Sequence, residues 1–276
     1  MARDWRALNR ASWDERAALH AGPGGYDRAP HRAGRGRLDP IAGAVLGDVA
    51  GRRVLHLQCH TGDDTVAIAQ IGAAEAVGLD FSPVSLEAAR ALAAECHARA
   101  ARFVFSDVLE APAALPGERF DVVFASWGVI GWLPDIAAWA RVVAHFLRPG
   151  GVFAFAEGHP AAWVFDDQEG RLDAAGRPGW LVPYFERAPR EFIETQDYVP
   201  GLPPLRETRT VQWLHPLGDV LGALLGAGLV IERFAEHPRV PWRMFASLVP
   251  DAEGMWGWPA EPWLPLGYSL RAHRPG

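Results

Sequence analysis

Between positions 52 and 157, short apolar runs of strand length alternate with longer, Ala-rich segments of helix length, and no other feature restricts the fold so strongly. The pattern predicts strands at 54–57, 76–79, 103–105, 122–125 and 152–156, with helices at 64–70, 83–98 and 134–146 between them. Apart from His56, the strand segments are apolar, so both faces must be covered, which helices packed on a parallel sheet provide. Ser82 and Pro83 supply an N-cap and a first-turn proline. Pro134 with Asp135 repeats the proline-first, acid-early pattern, and Pro149, Gly150 and Gly151 are expected to stop the third helix. A doubly wound α/β domain follows.

Outside that block the rhythm is looser. A helix is expected at 5–20 and a Gly- and Arg-rich loop at 22–37, whose Arg28, Arg32, Arg35 and Arg37 read as a solvated face. Aromatic residues mixed with Pro, Gly and charge at 158–210 read as a lid or inserted subdomain. Regularity returns with a helix at 216–225 and strands at 229–235 and 266–272, the last two able to pair antiparallel. The expected organisation is therefore an N-terminal helix and loop (1–38), a core (39–157), an insertion over the substrate (158–210) and a C-terminal part of the core sheet (211–276).

Composition narrows the function. With 276 residues, 49% hydrophobic and 22% charged, the chain reads as one large globular domain carrying an insertion. Its 27 basic residues, all Arg, stand against 33 acidic ones, and a net charge of −6 argues against a nucleic-acid partner held by phosphate neutralisation. No apolar run approaches the ~18 residues of a membrane span, and no secretory-type stretch is seen near Met1, so a cytoplasmic location is expected. Two cysteines, Cys59 and Cys96, make no disulfide framework and no metal-type pair. Asp166 and Asp167 are adjacent and read as a turn, so no metal site is expected.

Ligands of an open parallel sheet bind beyond the carboxyl ends of its strands, where the order switches. The residues there are Gln58-Cys59-His60-Thr61-Gly62 after the first strand, Asp80 at the end of the second and Asp107 after the third. Ser126-Trp127-Gly128 and Glu157-Gly158-His159 follow the fourth and fifth.

Taken in order with Val77-Gly78-Leu79-Asp80-Phe81-Ser82-Pro83, Ser106-Asp107-Val108, Phe120-Asp121-Val122-Val123 and Leu147-Arg148-Pro149-Gly150-Gly151, this set resembles the class I S-adenosylmethionine-dependent methyltransferases, in particular a bacterial small-molecule subset. The resemblance implies a seven-stranded, mostly parallel Rossmann-like sheet. His56, Gln58 and His60 stand where the family usually has Asp, Gly and Gly; the two turn positions must then take strained dihedrals or hold the cofactor's methionine end at another distance.

The resemblance also distributes roles. Asp80 would accept the ribose hydroxyls, and Asp107 with Val108 would receive the adenine, with Phe81 against the ring. Gln58, Cys59, His60 and Gly62 would form the cofactor turn, joined by Ser82 and Ser126. Trp127 and Tyr26 would contact the cofactor as aromatic walls around its sulfonium, with Trp13 a further candidate. Trp132, Trp163, Tyr184 and Tyr198 would contact the substrate. His159 beside Glu157 is the best-placed general base and His20 the second, ahead of His215 and His237. The expected function is methyl transfer from S-adenosylmethionine to oxygen or nitrogen of a small molecule, by a monomer or homodimer. The alternatives are a binder of that cofactor with another activity, a methyltransferase for macromolecules, and a nicotinamide-dependent oxidoreductase, which would need a Gly-x-Gly-x-x-Gly turn that 58–63 lacks.

Overall fold

Capping chemistry, rather than apolar period alone, sets where the elements begin. A computed structural model describes residues 4–167, 172–174 and 176–276. Helix α1 (Trp5–Ala21) starts where Asp4 accepts the amides of Arg6 and Ala7, and α3 (Pro40–Leu46) starts where Asp39 accepts those of Ile41 and Ala42. Between them, the expected loop contains the single helical turn α2 (Ala29–Arg32). The alternating core then runs β1 (Arg53–Leu57), α4 (Asp63–Gln70), β2 (Glu75–Asp80), α5 (Pro83–Glu95), β3 (Ala101–Phe105), α6 (Ala111–Ala114), β4 (Phe120–Ser126), α7 (Ile136–Phe146) and β5 (Leu147–Gly158). Ser82 caps α5 through Ser85 N–H at 3.0 Å, with Pro83 in the first turn as expected. In α7 the cap is Asp135 itself, bonded to Ala138 N–H, so Pro134 precedes the helix.

The insertion carries two small antiparallel pairs, β6 (Phe165–Asp166) with β7 (Gly179–Trp180) and β8 (Arg190–Ile193) with β9 (Arg209–Gln212). After α8 (Leu217–Gly226) come β10 (Val230–His237) and a three-stranded sheet of β11 (Arg239–Val240), β12 (Val249–Pro250) and β13 (Trp256–Gly257), and the described chain closes with β14 (Gly267–His273). Two-residue strands have no period to read, which is why the sequence shows none of them.

The main sheet has seven strands in the order β10-β14-β5-β4-β1-β2-β3. The five strands of the core are parallel, and β14 runs antiparallel between β5 and β10, as the two late apolar runs suggested. Pro149 to Gly151 does not separate helix from strand: β5 begins at Leu147, opposite Phe120, and the next aligned pair is Val152 with Val122, leaving the Pro-Gly-Gly as a bulge with Gly150 left-handed at φ 72°. Helices α7 and α8 bury Trp139, Phe146 and Leu224 against Phe120, Phe153 and Phe155 on one face. On the other face, Leu46 and Ile68 pack on Val54 and Phe124. The order reverses direction between β1 and β4, so the switch point and its crevice lie beyond their carboxyl ends.

Candidate functional site

The turn at the switch point takes the strained route. Gln58, His60 and Gly62 all have positive φ, at 53°, 48° and 76°. For the two residues with side chains this costs on the order of 1–2 kcal/mol each, and the side chains offset it locally. Gln58 Nε2 donates to the Val129 carbonyl at 2.8 Å, tying the end of β1 to the loop after β4, while its Oε1 is buried without a partner. Gly62 serves packing: a Cβ there would lie 2.6 Å from Ala89 and 2.8 Å from the Phe103 ring. Cys59 is buried against Gly78, its thiol pushed up by burial. His56, in the place usually held by an acid, is buried, bonds Thr65 Oγ1 at 2.9 Å and is driven down to about 3 by desolvation, so it stays neutral beneath the turn.

Asp80 ends β2 directly beside that turn. Its two oxygens accept the amides of His60 and Ser82, both at 2.9 Å, which aims the carboxylate while leaving lone pairs free. Burial lifts its pKa to about 6 against the pull of these amides. Asp107 is close by, since Ser106 N–H bonds the Asp80 carbonyl at 2.9 Å; it also caps the short turn begun by buried Val108, through Leu109 N–H. Helix α1 lies across this side of the cleft. Arg6 pairs with Asp107 at 2.8 Å, Asp14 accepts from Ser82 Oγ at 2.5 Å, and the Arg10 guanidinium stands 5.7 Å from the Phe81 ring centroid with a buried, unpartnered Nε.

Three distant segments meet in one buried chain of hydrogen bonds. His20 is fully buried; its Nδ1 is 2.7 Å from His60 Nε2 and its Nε2 is 2.9 Å from Asp197 Oδ1. His60 Nδ1 continues to Ser85 Oγ at 3.2 Å, and Arg16 grips the other Asp197 oxygen at 2.8 Å. One proton arrangement with neutral rings satisfies every atom: Ser85 O–H donates to His60, His60 N–H to His20, and His20 N–H to the carboxylate. Burial first and His20 second hold His60 well below the usual imidazole range. Burial would raise Asp197, but His20 and Arg16 bring it below the usual carboxylate range. Tyr26 packs on His20 with centroids 4.7 Å apart and shares a hydrogen bond between hydroxyls with Tyr198, while Trp13 sits edge-on to both His60 and Trp132.

Beyond β4 and β5 opens a cavity of about 530 Å³, walled by the 128–132 loop, by 157–166 and by the β8–β9 hairpin. Of the substrate residues expected, Trp132 and Trp163 line it. Tyr184 is directed to α8, its hydroxyl accepting Leu217 N–H, and Tyr198 belongs to the histidine chain. Glu157 borders the cavity, yet its oxygens accept four amides, from Gly128, Val129, Ile130 and Gly158, and so shape the loop after β4. Burial still raises its pKa. His159 does not line the cavity: its Nδ1 accepts Ala161 N–H at 3.0 Å, and its Nε2 is 2.9 Å from Glu236 Oε1, at ion-pair distance without hydrogen-bond alignment. Desolvation lowers its pKa, opposed by Glu236. Trp127 faces the opposite way, donating to Asp39 at 2.7 Å and packing on Trp242, and Ser126 bonds Asp64. Of the other histidines, His215 lines the cavity and gives a 2.9 Å contact to the Leu133 carbonyl, while His237 pairs with Ser269. Sequence reasoning missed Asp197, Arg16, Trp213 and the glutamates of the insertion; 190–194 reads Arg-Glu-Phe-Ile-Glu, with polar and apolar residues on both faces of the strand, so no local pattern pointed to them.

A doubly wound sheet with a strained turn at its switch point, an acid at the end of β2 and a cavity beyond β4 and β5 defines a nucleoside-cofactor enzyme class. Residues 55–153 match the family model described as a methyltransferase domain. A solved S-adenosylmethionine-dependent methyltransferase from Mesorhizobium loti superposes with a TM-score of 0.59 at 26% identity, covering 85% of this chain and 96% of that one. Residues 55–153 thus carry a methyltransferase domain, and the seven-stranded sheet around them has the fold of the solved S-adenosylmethionine-dependent methyltransferase. A trans-aconitate 2-methyltransferase from Methylobacterium radiotolerans is 37% identical over 38% of this chain and 37% of its own length. A ribosomal protein L11 methyltransferase from Pseudomonas paraeruginosa is 33% identical over 49% and 45%. The chain thus spans less than half of each of these two relatives, which are named for very different acceptors.

Among the described residues no helix is long and apolar enough to cross a membrane, and no group of metal-binding side chains is found.

Proposed function

We propose that this chain transfers the methyl group of S-adenosylmethionine to a small-molecule acceptor held in the cavity beyond β4 and β5. The observation that carries this reading is the contiguity of the two sites. The loop 128–132 walls the cavity and is pinned to the cofactor turn by Gln58, so an acceptor there stands beside the methionine end of the cleft. The volume suits a small molecule better than a folded polypeptide surface.

Asp80 would hold the ribose hydroxyls, the Asp107–Val108 turn with Phe81 the adenine, and the turn from Gln58 to Gly62 the methionine portion. The buried, unpartnered Oε1 of Gln58 is an acceptor suited to the methionine ammonium. When bound, the cofactor supplies an electrophilic methyl on a sulfonium. The chain's own contribution is positioning and exclusion of water, which together can be worth ~7–11 kcal/mol of effective molarity. Glu157 shapes the border loop, His20 locks α1 over the turn, and His159 steadies the end of β5 from outside the cavity, so each acts by positioning. The protein works in the cytoplasm as a monomer or homodimer in this reading.

Calorimetry with S-adenosylhomocysteine, followed by mass detection of methylated products from a small-molecule library, tests the proposal. Binding plus product is expected. Binding without any product across acceptor classes would favour a cofactor binder with another activity, and binding of NADH instead would favour the oxidoreductase.

A further inference from the structure

Imidazole is the side-chain group that titrates nearest neutral pH, and the acceptor cavity has one histidine on its described wall, His215. It stands between β9 and α8, in a segment fastened to the loop that borders the cofactor turn. Trp213 N–H donates to the Gly131 carbonyl at 2.8 Å, and His215 Nε2 lies 2.9 Å from the Leu133 carbonyl. The same loop is held to the cofactor turn through Gln58 and Val129. A carbonyl can only accept, so Nε2 carries the proton and, in the neutral ring, Nδ1 carries the lone pair. That Nδ1 has no hydrogen-bond partner among the described residues and, unlike Nδ1 of His31 and Nε2 of His145, it is not sealed inside the protein. Fastening the corner accounts for Nε2 alone and leaves the second nitrogen unspent. His20 and His60, the histidines nearest the cofactor turn, have both nitrogens engaged.

The geometry points to His215 as the general base of the transfer and to a hydroxyl as the group it serves: Nδ1 takes the proton of an alcohol or phenol whose oxygen is methylated. This rests on the methyltransferase reading above and deepens it. Burial holds the ring below the usual imidazole range, against the backbone of Leu133 and Ile130 and the charges of Asp219 and Asp135, so it is the free base at neutral pH. A base of that strength separates acceptor classes. An ammonium has no lone pair until its proton has left, which calls for a stronger base. A hydroxyl already has lone pairs, and its proton turns acidic only as the O–C bond forms, so a weak base aligned with it suffices. A carboxylate needs no base at all.

The chemistry balances without a further reactant. A lone pair of the acceptor oxygen forms the O–C bond to the methyl carbon as the C–S bond breaks and its electron pair goes to sulfur. The O–H bond breaks in the same step, its electrons staying on oxygen and its proton forming an N–H bond at Nδ1. The products are a methyl ether, a neutral thioether and a protonated His215, which returns its proton to water.

The test has a binding arm and a turnover arm. In the first, the full chain is saturated with S-adenosylhomocysteine, isotope-labelled at its histidine nitrogens and read by NMR. The His215→Gln variant, which keeps a donor for Leu133, assigns the resonance, and His215→Asn serves if it does not fold. The ring is expected to be protonated at Nε2, with an Nδ1 signal that moves on addition of para-propylphenol and not of para-propylanisole, which has no hydroxyl. A ring protonated at Nδ1, or one that the phenol leaves unmoved, would overturn the inference. With S-adenosylmethionine, para-propylphenol should give its methyl ether, and His215→Gln should lower kcat roughly a hundredfold with KM little changed. For para-nitrophenol in alkaline buffer, already ionised when it binds, the loss should shrink to under about tenfold. A histidine that only fastens the corner would give equal losses for the two phenols. Equal losses, methylation confined to amines, or no methyl ether from either phenol would overturn the inference and leave the methyltransferase reading standing. Absence of S-adenosylhomocysteine binding would remove that reading itself.

Discussion

The two halves of the cleft hold their carboxylates in different ways. On the cofactor side, backbone amides do the holding: His60 and Ser82 N–H groups aim Asp80, and four amides surround Glu157 at the border. On the acceptor side, side chains from remote segments do it: Arg16 reaches from α1 to Glu194 and Asp197, and Arg209 stands opposite Glu191. A carboxylate aimed by its own turn keeps its place wherever that turn forms. One aimed by a distant side chain depends on the whole tertiary structure, and it can change without disturbing the sheet. This division fits relatives that match under half of this chain or of themselves and are named for different acceptors.

The contrast can be broken by substitutions on either side. Asp80→Ala removes a charged acceptor on the cofactor side and should cost ~1.5–3 kcal/mol of S-adenosylhomocysteine binding by calorimetry; unchanged affinity would take Asp80 out of the site. His20→Ala cuts the link between the halves and leaves Asp197 and His60 each short of a partner. It should lower stability by about 1–3 kcal/mol in denaturant titration and weaken both cofactor and acceptor binding, whereas a loss confined to one half would show that the chain does not couple them. Trp213→Ala, on the acceptor wall, should raise KM by about tenfold, the scale of one lost aromatic contact, with cofactor affinity unaltered.

A pH series sharpens the same contrast. Asp80 has its folded pKa raised to about 6, so it is ionised above that value and, in the proposed role, would accept the ribose hydroxyls there. Cofactor affinity should therefore fall as pH drops through about 6. For the free protein the sign is opposite: because the raised pKa disfavours the charged form, Asp80 costs stability as pH rises from its ordinary range to about 6, and binding of the cofactor opposes that cost. An affinity flat from pH 5 to 7 would mean that another group carries the ribose. The smallest effect on stability is expected at Gln58→Gly, where relief of a left-handed residue and loss of the bond to Val129 are each worth about 1 kcal/mol and nearly cancel in a denaturant titration; S-adenosylmethionine affinity should fall there, and an unchanged affinity would take the Gln58 side chain out of the site.

Most of the fold was legible because its signals are local. The runs at 54–57 and 76–79 are apolar on both faces apart from His56, Ser82 stands one residue before Pro83, and Asp80 closes its strand, so spacing alone put them on the sheet and at its tip. Helix α3 and the three-stranded sheet β11–β13 were not legible, being too short to show a period. The roles expected of His159 and Trp127 illustrate a subtler limit. Position after a strand says which end of the sheet a residue occupies, but not which side of the chain its ring takes, and here both rings turn toward partners outside the cavity, Glu236 and Asp39.

By itself, the sequence determined the parallel core, the cap of its second helix and the turn after its first strand, because each of these is written in residues a few positions apart. Only the tertiary structure decided that His20 closes on Asp197, 177 positions away, and that glutamates of an irregular insertion face tryptophans of the core across one cavity. Those pairings arise when distant segments are desolvated together, and neither periodicity nor local hydrogen bonding records them in advance.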